Sequence, residues 1–593
     1  MKNGVTGHLT IIQLLERFRA VGQVPAVLLI PVLALSCVIG CSSTGSDVES
    51  RSSDQLNSEE MSVSEPWFVD QSSSWGMEHR FQSGHDQFCR FPEIMGGGGA
   101  VLDFDGDGWW DVYLIQAGGW QPTDPSHSRN VLLRNDGQGR LVDLSGASEA
   151  DDAGYGMGVA VGDFDGDGWA DLYITNVGPN VLLRNNGDGT FEDVTQTAGV
   201  GDPGWGTSVA WLDFDGDGWL DLYVCNYLHW YLQHDQRCYH PTGLDDYCGP
   251  QSYNDPQHDV LYRNNGDGTF TDWTMKSGIG ASKGNGLGIV VADFNQDGSP
   301  DIFVANDMTP NLLWINDRNG SFSNHASRYG CAIDRDGIAK AGMGTCVGDV
   351  TGNGLLDLIV VNLDGQSDTF FENMGEYFID RSASRLGMSS LPFTRFGVGL
   401  HDFNRDGLLD LFLACGRVML PEGPPTTSDP YSESNLFFEG TLDGRFRKLA
   451  DSEAGDVSQI ATSRAAIFCD LSNDGNLEVI VINKDQRAQI LTVAREFPGN
   501  WVGFRVLNSD GRDAVGAVVR LKTNPGLLLR RDVNPHYSYL ASNDPRVLFG
   551  LADTSRLETV EVTWPDGTTT TFGPFDANAY YVLRRVESSS HAN

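Results

Sequence analysis

One nine-residue pattern occurs seven times in this 593-residue chain, with oxygen-bearing side chains at positions 1, 3, 5 and 9 and glycine at position 6. The copies are DFDGDGWWD from Asp103, DFDGDGWAD from Asp163, DFDGDGWLD from Asp213, DFNQDGSPD from Asp293, DVTGNGLLD from Asp349, DFNRDGLLD from Asp402 and DLSNDGNLE from Asp470. Their starts lie 60, 50, 80, 56, 53 and 68 residues apart. A two-strand hairpin needs less, and four short strands with their loops need about that much. Each repeat therefore reads as one small sheet.

The flanks agree. An apolar, small-residue segment leads into each loop and a strand leaves it, as in Leu172-Tyr173-Ile174 and Ile302-Phe303-Val304. Two further strands follow, joined by Asn-Gly and Asp-Gly turns that supply positive φ, as in NVLLRNNGDGTFEDVT from Asn180. Strands this short make no stable isolated sheet, but seven sheets packed radially bury one another's faces. The pattern predicts an all-β chain with a seven-bladed β-propeller over residues 67–495. The segment Trp67 to Asp70 is expected to complete the last blade.

Several oxygen ligands crowded into nine residues repel one another unless a cation lies between them. Oxygen-only ligation without His or Cys favours Ca²⁺ over zinc or copper, and a pliant loop suits Ca²⁺ better than Mg²⁺. The predicted ligands are side chains at positions 1, 3, 5 and 9 and the carbonyl at position 7. In loop one these are Asp103, Asp105, Asp107, Trp109 and Asp111; in loop two Asp163, Asp165, Asp167, Trp169 and Asp171; in loop three Asp213, Asp215, Asp217, Trp219 and Asp221. Loop four offers Asp293, Asn295, Asp297, Ser299 and Asp301, and loop five Asp349, Thr351, Asn353, Leu355 and Asp357. Loop six offers Asp402, Asn404, Asp406, Leu408 and Asp410, and loop seven Asp470, Ser472, Asp474, Asn476 and Glu478. Up to seven ions are expected. Loop five, with two carboxylates, ranks as the weakest site and loop seven as the next. An EF-hand is excluded because position 12 is Leu114, Ile174 and Val224 in the first three copies, where that motif needs Glu. The bland alternative is a set of polar Asp-Gly turns without metal.

A net charge of -40 argues against nucleic acid, whose phosphates need a basic surface. Lys2, Arg17 and Arg19 precede an apolar run from Val24 to Gly40, the layout of a secretory signal. That run is short and broken by proline for a spanning helix. It ends in Val38-Ile39-Gly40-Cys41, which resembles a bacterial lipobox and implies a lipid-anchored Cys41 at the envelope, in the outer membrane or at the cell surface. Residues 1–41 thus read as a lipoprotein-type signal peptide, and an ordinary signal peptide with an incidental cysteine is the alternative. Residues 42–66 are Ser-rich and acidic and read as a tether.

Residues 496–593 alternate apolar and polar side chains around a Pro565-Asp566-Gly567 turn, which predicts a small β module. Its Arg530, Arg531 and His536 read as a solvated surface before a ligand site. Cys238 and Cys248 flank a short loop and are the first expected disulfide; Cys331 with Cys346 is the second. An insertion from Asn226 to His258 lengthens blade three between its second and third strands, opposite the predicted metal loops. Its His229, Trp230, Tyr231, Tyr239 and His240 are candidate ligand-binding residues, since long stapled aromatic loops often carry binding. A lid packed over the propeller channel is the equal alternative. No spacing supports a zinc site from His229, His234 and His240.

The DxDxDGxxD loops, their Gly-x-Gly lead-ins and the following DLY strands resemble the FG-GAP or VCBS repeats of integrin α-chain propellers. More narrowly, PEIMGGGGAVLDFDGDG from Pro92, the NNGDGTF turns and AGMGTCVGDVTGNGLLDL from Ala341 are similar to the cartilage-acidic-protein-like group. That resemblance implies a C-terminal ASPIC/UnbV domain, here GNWVGFRVLNSDGRDAVGAVVRL from Gly499 and VEVTWPDGTTTTF from Val560. It further implies an exported, calcium-binding propeller engaged in extracellular recognition or adhesion, with a glycan or protein ligand and no defined reaction. No HExxH, GxSxG, Walker or dinucleotide signature is present. A secreted polymer-acting hydrolase or lyase working at the channel mouth, and a purely structural envelope role, remain the alternatives.

Overall fold

The computed structural model describes residues 65–85, 88–117, 129–423, 427–524 and 526–586. The leader with Cys41, and the tether as far as residue 64, lie outside the described residues. Seven four-stranded antiparallel sheets follow one another between residues 68 and 493. Blade two shows the plan: Gly156–Gly162, Asp171–Asn176, Gly178–Asn185 and Phe191–Asp193, from the ring axis outward. Gly162 pairs with Asp171, so the acidic loop is the tight connection between the first two strands and its position 9 opens the second.

The first strands of the blades are Gly99–Leu102, Gly156–Gly162, Gly206–Leu212, Gly286–Ala292, Thr345–Gly348, Arg395–His401 and Ser463–Cys469. They contact one another in sequence, and the last meets the first, so the sheets close a ring. The strand Phe68–Asp70 pairs with Gln489–Val493, Phe68 opposite Val493, and supplies the outermost strand of blade seven. The chain thus closes the propeller by joining its two ends in one sheet.

A repeated side chain ties five of the seven blades to the one before. Asn185, at the end of the third strand of blade two, donates from Nδ2 to the Phe104 carbonyl of loop one at 2.9 Å. Asn264 does the same to Phe164 at 2.8 Å, Asn316 to Phe214 at 2.8 Å, Asn373 to Phe294 at 3.1 Å and Asn135 to Leu471 at 3.0 Å. In blade six the equivalent residue is Gly440, where a Cβ would collide with the Leu409 carbonyl, so this stitch is missing there. Asn316 is 2 % exposed. Replacing it by Ala orphans the buried Phe214 carbonyl, and we expect a loss of about 1–3 kcal/mol, measured by urea unfolding. An unchanged midpoint would show that the stitch contributes nothing.

The C-terminal part has its own core, with Val502, Phe504, Val519, Phe549, Val562 and Trp564 buried between a three-stranded and a four-stranded sheet. It is not a detached module. Between Leu528–Asp532 and Val547–Ala552 the chain leaves this sandwich and enters the ring axis. Ala541 and Ser542 pair in parallel with Gly99 and Ala100 of blade one. Ser538 exchanges backbone hydrogen bonds with Thr345 of blade five, accepts from the Val398 amide and donates to the Ala466 carbonyl. The Leu540 amide donates to Ser208 Oγ, Asn534 to the Val291 carbonyl, and His536 Nε2 lies 3.2 Å from the Val161 carbonyl. One segment therefore bonds to the first strands of all seven blades.

Such an approach needs small residues around the axis. Five residues before each loop stand Gly98, Gly158, Ser208, Gly288, Gly344, Gly397 and Ala465. A Cβ on Gly98 would collide with the Leu540 carbonyl, and one on Gly344 would come 3.0 Å from the Ser538 carbonyl.

Three expectations need correction. Arg530 and His536 are not on a solvated surface; they are 5 % and 1 % exposed, because this segment is packed against the propeller. Cys331 and Cys346 do not pair: both are buried thiols in different hydrophobic clusters, as core residues. The axis is no open channel, because residues 533–543 fill it. Cys238 and Cys248 do form a disulfide, with their Cα atoms 5.2 Å apart.

Candidate metal centres and ligand surfaces

The seven loops share one internal scaffold. The glycine at position 6 donates its amide to the carboxylate at position 1, from Gly108 to Asp103 at 3.2 Å through Gly475 to Asp470 at 2.7 Å. Glycine is required there because the backbone is left-handed, with φ +93 at Gly168. The side chain at position 5 accepts the amide of position 7, as Asp107 does from Trp109 at 3.0 Å. The acid at position 9 is buried and in loops one to six accepts at least two backbone amides, as Asp111 takes those of Phe104 and Asn135; Glu478 of loop seven takes that of Leu471.

This scaffold turns oxygens toward one point. Asp103, Asp105 and Asp111 bring carboxylate oxygens within 4.8 Å of one another, and so do Asp163, Asp165 and Asp167, and Asp213, Asp215 and Asp221. Burial pushes Asp111, Asp221 and Asp301 up to about 8, Asp163 and Asp213 to about 6, and Asp402 to about 7. Asp171 and Asp410 are held well above the ordinary carboxylate range for the same reason. Burial thus disfavours the ionised form at these points unless positive charge is brought close.

The donor set fits a hard cation. Asp103 Oδ1, Asp349 Oδ1 and Thr351 Oγ1 are buried and have no hydrogen-bond partner. Two of these three atoms belong to loop five, which ranks last by carboxylate count. Loop seven is different, because a side chain from outside the loop, the Tyr580 hydroxyl, also donates to Asp470. Oδ2 accepts from Tyr580 Oη at 2.8 Å and from the Gly475 amide, and Oδ1 from the Asp474 amide.

Arginines that sequence reasoning missed supply part of the counter-charge. Arg134 reaches Asp105 at 2.5 Å and Asp107 at 2.7 Å, and Arg263 reaches Asp215 at 2.6 Å and Asp217 at 2.7 Å. Both come from the third strand of their own blade, where the RN pair reads in sequence as the lead into a turn. Others come from the C-terminal module. Arg512 donates to the Gly218 carbonyl, Arg530 to the Gly354 carbonyl and Arg546 to the Asp470 carbonyl, each at 2.7–2.8 Å. The module thus docks on the loop face through guanidinium groups. The position 7 tryptophans have a packing role too: Trp169 lies against Gly106 of loop one and Gly187 of its own hairpin.

The insertion of blade three lies on the opposite face. Its inner part is a lid: Trp230, Tyr247 and Tyr253 are buried, Tyr253 stacks on Phe91 at 5.6 Å, and Asp246 accepts the Tyr431 hydroxyl and the Leu420 amide from blade six. Trp230 is therefore packed against Trp205 and unavailable as a ligand contact. The outer part is exposed, with Tyr231 at 47 % and Tyr239 at 60 %. His229 lies 3.2 Å from Asp255, and His240 Nδ1 lies 2.8 Å from the Thr242 hydroxyl. Among the described residues no histidine joins a metal cluster.

A ring of four-stranded sheets carrying aspartate loops defines the class as a β-propeller. The FG-GAP-like repeat model matches residues 103–174, 163–224, 243–304 and 293–360, and the ASPIC and UnbV model matches residues 508–590. Cartilage acidic protein 1 of Xenopus tropicalis is 27% identical over 289 residues, covering 48% of this chain and 42% of that protein. The Homo sapiens protein of that name is 26% identical over 330 residues, covering 53% and 45%. The chain carries FG-GAP repeats and a C-terminal ASPIC/UnbV domain, and it is homologous to cartilage acidic protein 1. The matched stretch spans less than half the length of these curated relatives. Among solved structures, YCF48 from Cyanidioschyzon merolae is similar at 12% identity and TM-score 0.37, covering 66% of this chain and 94% of that one. An Agrocybe aegerita lectin that recognises non-reducing terminal N-acetylglucosamine is similar at 16% identity and TM-score 0.35, covering 66% and 86%.

Proposed function

We propose that this chain is an exported, lipid-anchored recognition protein whose propeller is held together by Ca²⁺. The observation that carries the metal part is the pair of features in loop one: three carboxylates within 4.8 Å and an Asp103 oxygen buried without a partner. Asp, Asn, Ser and Thr oxygens of the loops would hold the ions, and the ions would supply positive charge where buried carboxylates otherwise repel. Their role is structural. Export and anchoring rest on the Cys41 lipobox resemblance, and extracellular calcium is abundant enough to fill sites with dissociation constants of about 10⁻⁴–10⁻³ M.

The recognition part is supported by the exposed half of the disulfide-stapled insertion, which holds aromatic faces in solvent on a rigid base. The ligand would be an extracellular glycan or protein. A polymer-cleaving site would have to lie at the channel mouth or on a propeller face, since the chain's own segment occupies the axis.

Calcium titration of the chelated full chain by calorimetry tests the metal part loop by loop. Asp213→Asn should remove one bound ion. Asp470→Asn should leave the count unchanged, because the Tyr580 hydroxyl, which has no counterpart at Asp213, already takes an oxygen of that carboxylate. Equal losses in both variants would overturn the distinction, and no calcium uptake by the parent chain would overturn the metal reading. Capture of glycans or proteins on arrays, with and without chelator, tests recognition.

A further inference from the structure

A cavity of about 340 Å³ lies between loops one and two and the C-terminal module. That size falls in the range of small-molecule sites, about 300–1,000 Å³, and is too large for an inorganic ion. Its charged lining is Asp103, Asp163, Arg505, Arg512, Asp513 and Arg584.

Most of these groups are already committed. Arg505 grips Asp513 with both arms at 3.0 and 3.1 Å, and Arg512 pairs with Asp510 and donates to the Gly218 carbonyl. Asp163 accepts the amides of Gly166, Asp167 and Gly168 within its own loop. Asp103 Oδ1 is left without a partner, facing the loop-one metal position, and among the cationic groups Arg584 is the exception. It is exposed and makes no ion pair or side-chain hydrogen bond among the described residues. An open guanidinium fork is matched to a carboxylate, and it is the one arginine of the wall with no acid or carbonyl already in its grip. Trp110 and Trp169 provide apolar walls against which a sugar ring can pack.

We propose that this cavity binds the carboxylate-bearing unit of an acidic saccharide, with Arg584 as its carboxylate-recognising donor. The assignment rests on the recognition reading and moves the ligand from the insertion to the loop face. The C-terminal module and the propeller build the site jointly.

Binding of D-glucuronate to the full chain in calcium, measured by calorimetry beside D-glucose and acetate, tests it. Glucuronate should bind, and glucose and acetate should not at the same concentration. Arg584→Ala should weaken glucuronate about tenfold or more while leaving the melting temperature unchanged, since the side chain is exposed. Glucuronate binding that is indifferent to Arg584→Ala overturns the assignment. Acetate binding as well as glucuronate overturns its saccharide part. Array ligands that are lost in Tyr231→Ala or Tyr239→Ala, with no sugar-acid binding, overturn this site and leave recognition standing. A chain that captures nothing on any array overturns both.

Discussion

Chelation should lower the melting temperature of the full chain by about 4–8 °C relative to 10 mM Ca²⁺ at pH 8. Loops one, two and three each bring four carboxylates. At dissociation constants of about 10⁻⁴–10⁻³ M, 10 mM calcium stabilises each site by about 1.4–2.7 kcal/mol. Three sites give about 4–8 kcal/mol. Unfolding a body of this size releases on the order of 1 kcal/mol per degree, at about 2 cal/mol/K per residue. Magnesium at the same concentration should do much less, because the loops lack its tight octahedral demand. Identical melting in EDTA and in calcium would remove the metal from the account altogether.

The same experiment has a pH signature whose sign follows from burial. Asp111, Asp221 and Asp301 are pushed up to about 8, and Asp163 and Asp213 to about 6. A carboxylate raised in the folded state binds protons more tightly there than in the unfolded chain. Its stability is therefore complete below about pH 4 and is lost as pH rises through the folded value. For these groups the chelated chain loses stability between about pH 4 and pH 8. Calcium replaces the protons, so the stabilisation it brings should grow from pH 5 to pH 8. A calcium effect that is constant across that window would mean the raised carboxylates are not the ligands.

Much of this architecture is legible in the primary structure because it repeats. Seven loops, their spacing and the Asn-Gly turns specify the succession of blades, and the apolar Trp67-Phe68-Val69 before the first loop points to the closing strand. Other features are written once, or in a form that resembles something simpler. The asparagines at 135, 185, 264, 316 and 373 look like turn residues, and only the neighbouring blade reveals the carbonyl each one satisfies. Arg505, Arg512, Arg530 and Arg546 lie far in sequence from the loops they meet, so nothing local marks them as docking groups. The axis segment has no periodicity at all. Its trace is negative: the run of Gly, Ser and Ala five residues before every loop, which signals that something must fit against those strands.

That segment makes the ring and the C-terminal module one cooperative body, and Tyr539 is where the coupling is most exposed to test. The side chain is 0 % exposed, packs edge-on against Phe396 at 4.8 Å and donates to the Met95 carbonyl at 2.8 Å. Tyr539→Ala leaves a cavity at the axis and orphans that carbonyl, and large aromatic truncations of this kind cost about 3–5 kcal/mol. The loss falls on the contact between the two parts, since Phe396 belongs to blade six and Tyr539 to the segment leaving the module. Scanning calorimetry should therefore show one transition in the parent chain and two in the variant, the first at lower temperature. Tyr239→Ala, at a residue 60 % exposed on the insertion, should leave the single transition in place. A Tyr539→Ala chain that melts as one unit within a degree of the parent would mean that the sheets hold the ring without the segment at its centre.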